Sequence, residues 1–364
     1  MSAQQTEPTA QELFTGTQPV RDQHKFDEAN LVTFMEQHVE GFEGPLEVRE
    51  FKGGQSNPTY QLVTPKKKYV LRRKPPGKLL PSAHAVDREF KVINALYPTG
   101  FPVARPYALC EDESVIGTIF YIMDNVEGRI LWDGTLPDMD PKDRWPIYDA
   151  MNETLARLHN TDYKAIGLED FGKPGNYFSR QISRWTKQYQ LSETETVPEM
   201  DKLIEWLPEN IPDVPGESIV HGDYRLDNMV LHPTEPRVIA VLDWELSTIG
   251  HPLGDFSYHL MQWFLPGGTS TAGTLVGSDL KQLNIPTANE YTEMYIKRTG
   301  FTGLSENMDF YLAYNFFRLA GILQGIVGRV KEGTASSEHA AANAERVFPL
   351  AKAGWEFARR AGAK

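Results

Sequence analysis

The sequence predicts an α+β chain in two lobes, on three observations. Strand-length runs near residues 45–52, 59–64 and 68–74 dominate the first third, and helical spacing dominates from about residue 140 onward. Between helical stretches, short apolar runs at 218–220, 229–231 and 238–242 bracket a segment dense in acids and amides. The expected organisation is a flexible polar segment at 1–25, a first lobe at 26–123, a connector at 124–128 and a second lobe at 129–364.

Taken in order, residues 27–41 alternate acidic and apolar positions at helical spacing. Gly53-Gly54-Gln55-Ser56-Asn57 separates the first two strands. A glycine-rich loop there lets backbone amides approach phosphates, although a hairpin turn explains the same residues. The third strand, Tyr69-Val70-Leu71-Arg72, lies in a run with seven basic residues: Lys66, Lys67, Lys68, Arg72, Arg73, Lys74 and Lys78. A solvated edge strand accounts for such charges, and so does an anion-binding margin. Residues 83–97 follow as a helix carrying Glu89 beside an apolar stripe of Phe90, Ile93, Leu96 and Tyr97.

Thr118 to Met123 reads as a buried strand and Asp124-Asn125-Val126-Glu127-Gly128 as the connector. His159 closes a helix that begins before Tyr148, where packing or capping suits it better than catalysis. Tyr177, Arg180, Arg184, Trp185 and Tyr189 fit either a substrate entrance or plain helix packing. Phe316, Phe317, Leu319, Ile322, Leu323 and Ile326 form an apolar helical face, core or pocket wall, and Arg318 inside it requires a partner, whether an anion or a carboxylate of the protein. Residues 264–285 make a long loop, a lid or a surface excursion.

The most informative stretch is His221-Gly222-Asp223-Tyr224-Arg225-Leu226-Asp227-Asn228-Met229-Val230 followed by Val241-Leu242-Asp243-Trp244-Glu245. Phosphoryl transfer demands little covalent chemistry from a protein; it demands a positioned acceptor hydroxyl and neutralised phosphate charge. Asp223 is the candidate base. Asn228 and Asp243 supply the hard oxygens that Mg2+ prefers. Turn and strand-end roles explain either segment alone, since Asp and Asn are common there for local reasons. Both segments in this order, framed by strands, point to a site. Gly250-His251-Pro252-Leu253-Gly254-Asp255-Phe256 opens a helix, with Asp255 placed to cap it and to bind backbone amides of the catalytic loop.

These residues resemble the signature of aminoglycoside phosphotransferase-like kinases, through His221-Gly222-Asp223 to Asn228, Asp243-Trp244-Glu245 and Pro252-Leu253-Gly254-Asp255. The stretch from Tyr69 to His84, with Arg88-Glu89-Phe90, is similar to one branch: kinase domains fused to certain acyl-CoA dehydrogenases, and their free-standing bacterial relatives. The resemblance runs from about residue 30 to the end. It implies a protein-kinase-like two-lobed fold, a small antiparallel-sheet lobe and a mainly helical one, with ATP between lobes. It implies phosphorylation of a 4-hydroxyacyl-CoA, such as 4-hydroxyvaleryl-CoA, with an acyl-CoA dehydrogenase acting downstream. In the protein-kinase pattern a strand lysine pairs with a helix glutamate. Here Arg72 stands at that place with Glu89 as partner, and whether Arg72, Arg73 or Lys74 meets the nucleotide is open. Gly53, Gly54, Ser56, Asn57, Arg72, Glu89, Met123, Asn125 and Val126 are the expected nucleotide contacts, the last three through the connector.

Composition excludes several classes. The chain has 364 residues, 40% hydrophobic and 24% charged, as in a globular protein. Its net charge of −12 argues against general nucleic-acid binding. The first 25 residues show no secretory pattern, and no run approaches the roughly eighteen apolar residues of a membrane span, so a cytoplasmic protein is expected. Cys110 is the single cysteine; it excludes an internal disulfide and a cysteine-rich zinc site, and a buried inert thiol is expected. Two other functions remain open: a kinase for an aminoglycoside, amino alcohol or sugar, and a nucleotide-binding regulator without transfer activity.

Overall fold

Alternation of side chains along the N-terminal strands builds a six-stranded antiparallel sheet in the order β1-β2-β3-β4-β6-β5. The strands are β1 (Thr17–Gln18), β2 (Glu47–Phe51), β3 (Thr59–Val63), β4 (Lys68–Arg73), β5 (Pro106–Cys110) and β6 (Phe120–Asp124). The computed structural model describes residues 15–52, 57–75, 84–269, 273–331 and 340–364. Tyr60, Leu62, Tyr69, Leu71, Phe120 and Ile122 share one face of the sheet and form a core with Leu31, Phe34 and Met35 of helix α1 (Glu28–His38). Asp27 caps that helix by accepting from the Asn30 amide. Helix α2 (Val86–Leu96) packs on β5 and β6, burying Glu89 along with Val92, Ile93 and Leu96. Cys110 is buried in β5, and burial pushes its thiol pKa up, which suppresses thiolate chemistry.

By contacts the chain divides into two compact units, and the division departs from a single break at the connector. The first unit comprises Met1–Trp132, Lys164–Phe171 and Asp227–Ser247; the second comprises Asp133–Tyr163, Gly172–Leu226 and Thr248–Lys364. Strands β8 (Met229–Leu231) and β9 (Val238–Val241) therefore join the N-terminal unit. The reason is local: Val241 donates to the Pro102 carbonyl, Arg129 bridges to Leu231, and Trp244 packs edge-on to Phe101. Gly128 is required at this bridge, because a Cβ there would meet the Leu231 carbonyl oxygen at 2.2 Å. Nor are residues 15–25 a loose tail. β1 pairs with β2, and the buried Glu50 accepts from the Arg21 guanidinium and amide and contacts the His24 ring at 2.7 Å. A carboxylate this deeply buried needs such partners.

In the second unit β7 (Ser218–Val220) pairs antiparallel with β10 (Thr248–Gly250). The rest is helical: α3 (Pro141–His159), α4 (Tyr177–Ser192), α5 (Pro198–Glu209), α6 (Pro252–Leu260), α7 (Leu280–Leu283), α8 (Ala288–Thr299), α9 (Met308–Lys331) and α10 (Ala340–Arg360). Helix α9 is apolar and long enough to cross a membrane, contrary to the sequence expectation. Its apolar window is 83% buried, packed against α10, α4, α6 and α5, which is the environment of a core helix. Phe316 and Phe317 are fully buried core, while Leu319 lines a small cavity.

Candidate active site

The two-residue period of β4 sends Arg72 and Arg73 to opposite faces. Arg73 faces the α1 side, stacked over Phe26 and Tyr60 and donating to the His24 carbonyl at 2.8 Å, a structural role. Lys74 pairs with Asp87 at 3.5 Å. Arg72 is the residue that meets the candidate carboxylates: its Nε lies 2.8 Å from Glu89, and its Nη2 donates to Asp243 at 2.6 Å and lies 3.8 Å from Glu245. Burial alone would lower the Arg72 pKa, but Glu89, Asp243 and Glu245 together raise it. Burial holds the Glu89 pKa above its usual range, against the pull of Arg72.

Asn57, expected at the nucleotide, is fully buried and hydrogen-bonded into this cluster. Its Nδ2 donates to Glu89 at 2.9 Å and its Oδ1 meets His84 Nδ1 at 3.0 Å. Tyr121 donates to Glu89 at 3.1 Å. Gly53, Gly54 and Ser56, expected at the phosphates, lie outside the described residues.

Asn228 and Asp243 are brought together by the β8–β9 ladder. Met229 pairs with Val241, and the Leu242 amide donates to the Asn228 carbonyl at 2.8 Å. Asp243 then leaves β9 with φ +61°, a conformation that costs a non-glycine residue about 1–2 kcal/mol. The turn is held by Trp244 Nε1 donating to the Val241 carbonyl at 3.0 Å. Backbone strain at a half-exposed carboxylate is the kind found at functional sites. No cluster of three or more His, Cys, Asp or Glu able to hold a metal exists among the described residues. One carboxylate and one amide oxygen instead suit Mg2+, which takes one or two protein ligands and completes its shell with water and substrate phosphates.

Along the connector, Met123 pairs with Val70 across β6 and β4 and is buried. The Asn125 amide donates to the Lys68 carbonyl and its Oδ1 accepts from Gln61 Nε2 at 3.1 Å. Val126 follows, half-buried. Glu127 pairs with Lys68 and Asp124 with Lys67, so much of the basic run serves local ion pairs.

Asp223 belongs to the second unit. Its loop turns at Gly222, whose φ of +84° favours glycine. Asp255 fastens the loop from α6: it accepts from the His221 amide at 2.7 Å and the Gly222 amide at 2.8 Å. His251, not Asp255, caps α6, accepting from the Leu253 amide. His159 orients Asp255 at 3.1 Å and meets the Tyr295 hydroxyl at 2.6 Å, which is the packing role expected of it. Among the described residues the direct partners of Arg318 are a carbonyl and a ring face, not a carboxylate. It donates to the Gly222 carbonyl at 2.6 Å and stacks over Tyr258 with a 4.8 Å separation, satisfying the buried charge by a carbonyl and a ring face.

The Asp223 carboxylate accepts from the Tyr258 hydroxyl at 2.6 Å and lies 3.5 Å from Arg225 Nε. Burial alone would raise its pKa; Arg225, Tyr258, His221 and Arg318 outweigh this and hold it below the usual carboxylate range. Tyr258 is pushed well above the usual tyrosine range by burial and by Asp223, so it stays a donor. An ionised, oriented carboxylate can take the proton of a hydroxyl. Tyr258 also lines a small cavity of about 50 Å³ with Arg225, Met261, Leu265, Leu319 and Arg346. Of Arg180 and Arg184, both expected near an entrance, Arg180 donates to the Pro174 carbonyl in the loop before α4, and Arg184 stacks on Trp185.

The family now follows from the chain itself: residues 47–291 match the profile of the phosphotransferase enzyme family. The chain belongs to that family. This phosphotransferase is 45% identical over 346 residues to acyl-CoA dehydrogenase family member 11 of Homo sapiens, a match that covers 94% of this chain and 44% of that protein. The chain thus spans less than half the length of that relative. A solved structure of a candidate aminoglycoside phosphotransferase from Ralstonia eutropha is 56% identical, with TM-score 0.84, covering 92% of this chain and 99% of that one. Choline kinase from Cryptosporidium parvum, at 11% identity, shares the fold with TM-score 0.64 over 92% of this chain and 97% of its own. The expected kinase-like α+β fold is borne out, and so is a phosphotransferase that uses a hydroxyl acceptor.

Proposed function

We propose that this phosphotransferase moves the γ-phosphate of ATP to the hydroxyl of a 4-hydroxyacyl-CoA such as 4-hydroxyvaleryl-CoA. The observation that carries the chemistry is Asp223: a carboxylate kept ionised and aimed by the Tyr258 hydroxyl, beside a partly apolar cavity. Asp223 accepts the hydroxyl proton as the oxygen attacks phosphorus, and ADP departs. Asn228 and Asp243 would hold Mg2+, which supplies charge neutralisation on the phosphates when bound. Arg72, fixed by Glu89, would face the nucleotide phosphates from β4, and Met123, Asn125 and Val126 would offer backbone groups to adenine.

The acyl-CoA acceptor is supported by the likeness to an acyl-CoA dehydrogenase family member. A phosphate ester leaves more readily than hydroxide, so phosphorylation prepares the hydroxyl for elimination, and the dehydrogenase is the proposed downstream partner. An aminoglycoside or amino-alcohol acceptor is the second reading, from the names of two structural neighbours. Arg225 and Arg346 in the cavity disfavour a cationic acceptor. A regulator without transfer activity has no need of an ionised Asp223 beside a cavity.

The test is mass spectrometry of purified protein with Mg-ATP and 4-hydroxyvaleryl-CoA, the free hydroxy acid or kanamycin. One phosphate gained by the thioester supports the proposal; phosphate on kanamycin alone rejects it.

A further inference from the structure

The peptide unit that leads into Asp223 is held at both of its polar atoms. Its carbonyl, that of Gly222, accepts from Arg318 Nη2 at 2.6 Å, and its amide, that of Asp223, donates to His221 Nδ1 at 3.2 Å. The unit before it is fixed by the Gly222 amide donating to Asp255 at 2.8 Å. Gly222 has no side chain to restrain its φ of +84°, so its neighbours must hold the turn. The far end of Asp223, its carboxylate, has a separate hold in the Tyr258 hydroxyl at 2.6 Å. Arg318 touches both supports. Besides the Gly222 carbonyl, it meets the Tyr258 ring, with the guanidinium carbon 4.8 Å from the centroid.

A guanidinium can do both at once, because its edge donates while its flat face stacks. Arg318 is buried on α9, where a charge is costly, and a neutral amide side chain could satisfy the same carbonyl. Burial would lower its pKa, but Tyr314, Tyr177, Tyr258 and Asp223 raise it, so the charge persists. The charged and titratable groups facing Asp223 are Arg225 and His221 from its own loop, Tyr258 from α6 and Arg318 from α9. Arg225 rides on the loop that must itself be held and is 38% exposed, whereas Arg318 is fixed on a core helix.

We propose that Arg318 is a positioning residue for the transfer step, acting on Asp223 through the Gly222 carbonyl and the Tyr258 ring so that the carboxylate is held charged and in one orientation. This rests on the reading of Asp223 as the base that takes the acceptor proton. Arg318 itself touches neither acceptor nor nucleotide in this role.

The experiment labels aspartate carboxyl carbons with carbon-13 in wild type, Arg318→Gln and Arg318→Lys and follows them by NMR as the pH is lowered. Asp223→Asn identifies the Asp223 signal. Turnover of Mg-ATP with 4-hydroxyvaleryl-CoA and affinity for ATP are measured in parallel, and circular dichroism melts check folding. In wild type the Asp223 signal should stay at its ionised position down to about pH 4. In Arg318→Gln, which keeps a donor but loses the charge, it should begin to move at higher pH, and kcat should fall roughly tenfold to a hundredfold at unchanged ATP affinity. Arg318→Lys should restore the titration and only part of kcat, because an ammonium has no face to stack. If Arg318→Gln does not fold, Arg318→Lys decides: reduced kcat at unchanged ATP affinity supports the inference, and wild-type kcat overturns it. An Asp223 titration unchanged in folded Arg318→Gln, or failure of both variants to fold, makes Arg318 purely structural and overturns the inference. If wild type phosphorylates no acceptor, the proposed kinase activity fails, while the titration still decides whether Arg318 governs Asp223.

Discussion

Arg72 and Asp243 form an ion pair at 2.6 Å that couples the sheet to the strained turn after β9. The same guanidinium is anchored by Glu89 at 2.8 Å, and Glu89 is in turn held by Asn57 and Tyr121. Removing one member of a buried pair leaves the other unsolvated. Arg72→Gln should therefore destabilise the protein by roughly 3–5 kcal/mol, read as a fall in chemical-denaturation free energy. Arg72→Lys should retain part of the stability but not the two-armed geometry, and should raise the KM for ATP more than it lowers the melting temperature.

Asp243→Asn removes a formal charge while preserving shape. The magnesium-dependent part of ATP affinity should weaken, and the affinity measured in excess chelator should change little. Parallel ATP titrations with and without Mg2+ make the comparison. Equal loss in both conditions would assign Asp243 a purely structural role.

Tyr258→Phe deletes the hydroxyl donated to Asp223. The Asp223 pKa should rise, because a hydrogen bond to the charged form is lost, and the acid limb of kcat/KM should move to higher pH. In the unaltered protein Asp223 titrates below the usual carboxylate range, so it places no acid limb above about pH 4. A pH–rate profile of both proteins gives the answer.

His259 links stability to pH. Burial lowers its pKa to about 4, while the Tyr224 carbonyl and Tyr291 hydroxyl hold the neutral ring. The unfolded chain, with a pKa near 6.5, binds a proton that the native state refuses, so stability falls as pH drops from about 6.5 to 4 and levels off below. The shift corresponds to roughly 3 kcal/mol. Substitution by Gln should flatten that part of the stability–pH curve, as measured by urea unfolding at a series of pH values.

The candidate catalytic segment is legible in the sequence because its spacing is set within one stretch of chain. Asp223 to Asn228 spans a single loop, and Val238–Leu242 announces the strand that ends at Asp243. Arg72 and Glu89 are legible as a pair only through a pattern in which strand and helix alternate, and the choice of Arg72 over Arg73 needed the strand's phase. Other features depend on distant elements. Tyr258 and Arg346 reach the Asp223 loop and its cavity from α6 and α10, and no local signal marks them. Arg318 looked anomalous in an apolar helix, but only the fold supplies its carbonyl and ring partners. The placement of β8 and β9 with the N-terminal unit follows from the bridge to Arg129 and from the Pro102 contact, which no linear reading of lobes contains.

The most direct measurement is phosphate transfer from ATP to 4-hydroxyvaleryl-CoA by wild type and Asp223→Asn side by side, followed by mass spectrometry, with ATP affinity measured in both. A phosphorylated thioester from wild type, a rate lower by roughly 10²–10⁴-fold in the variant and near-equal ATP affinity are the predicted results. Near-normal transfer by Asp223→Asn would contradict the role of Asp223 on which the mechanism stands.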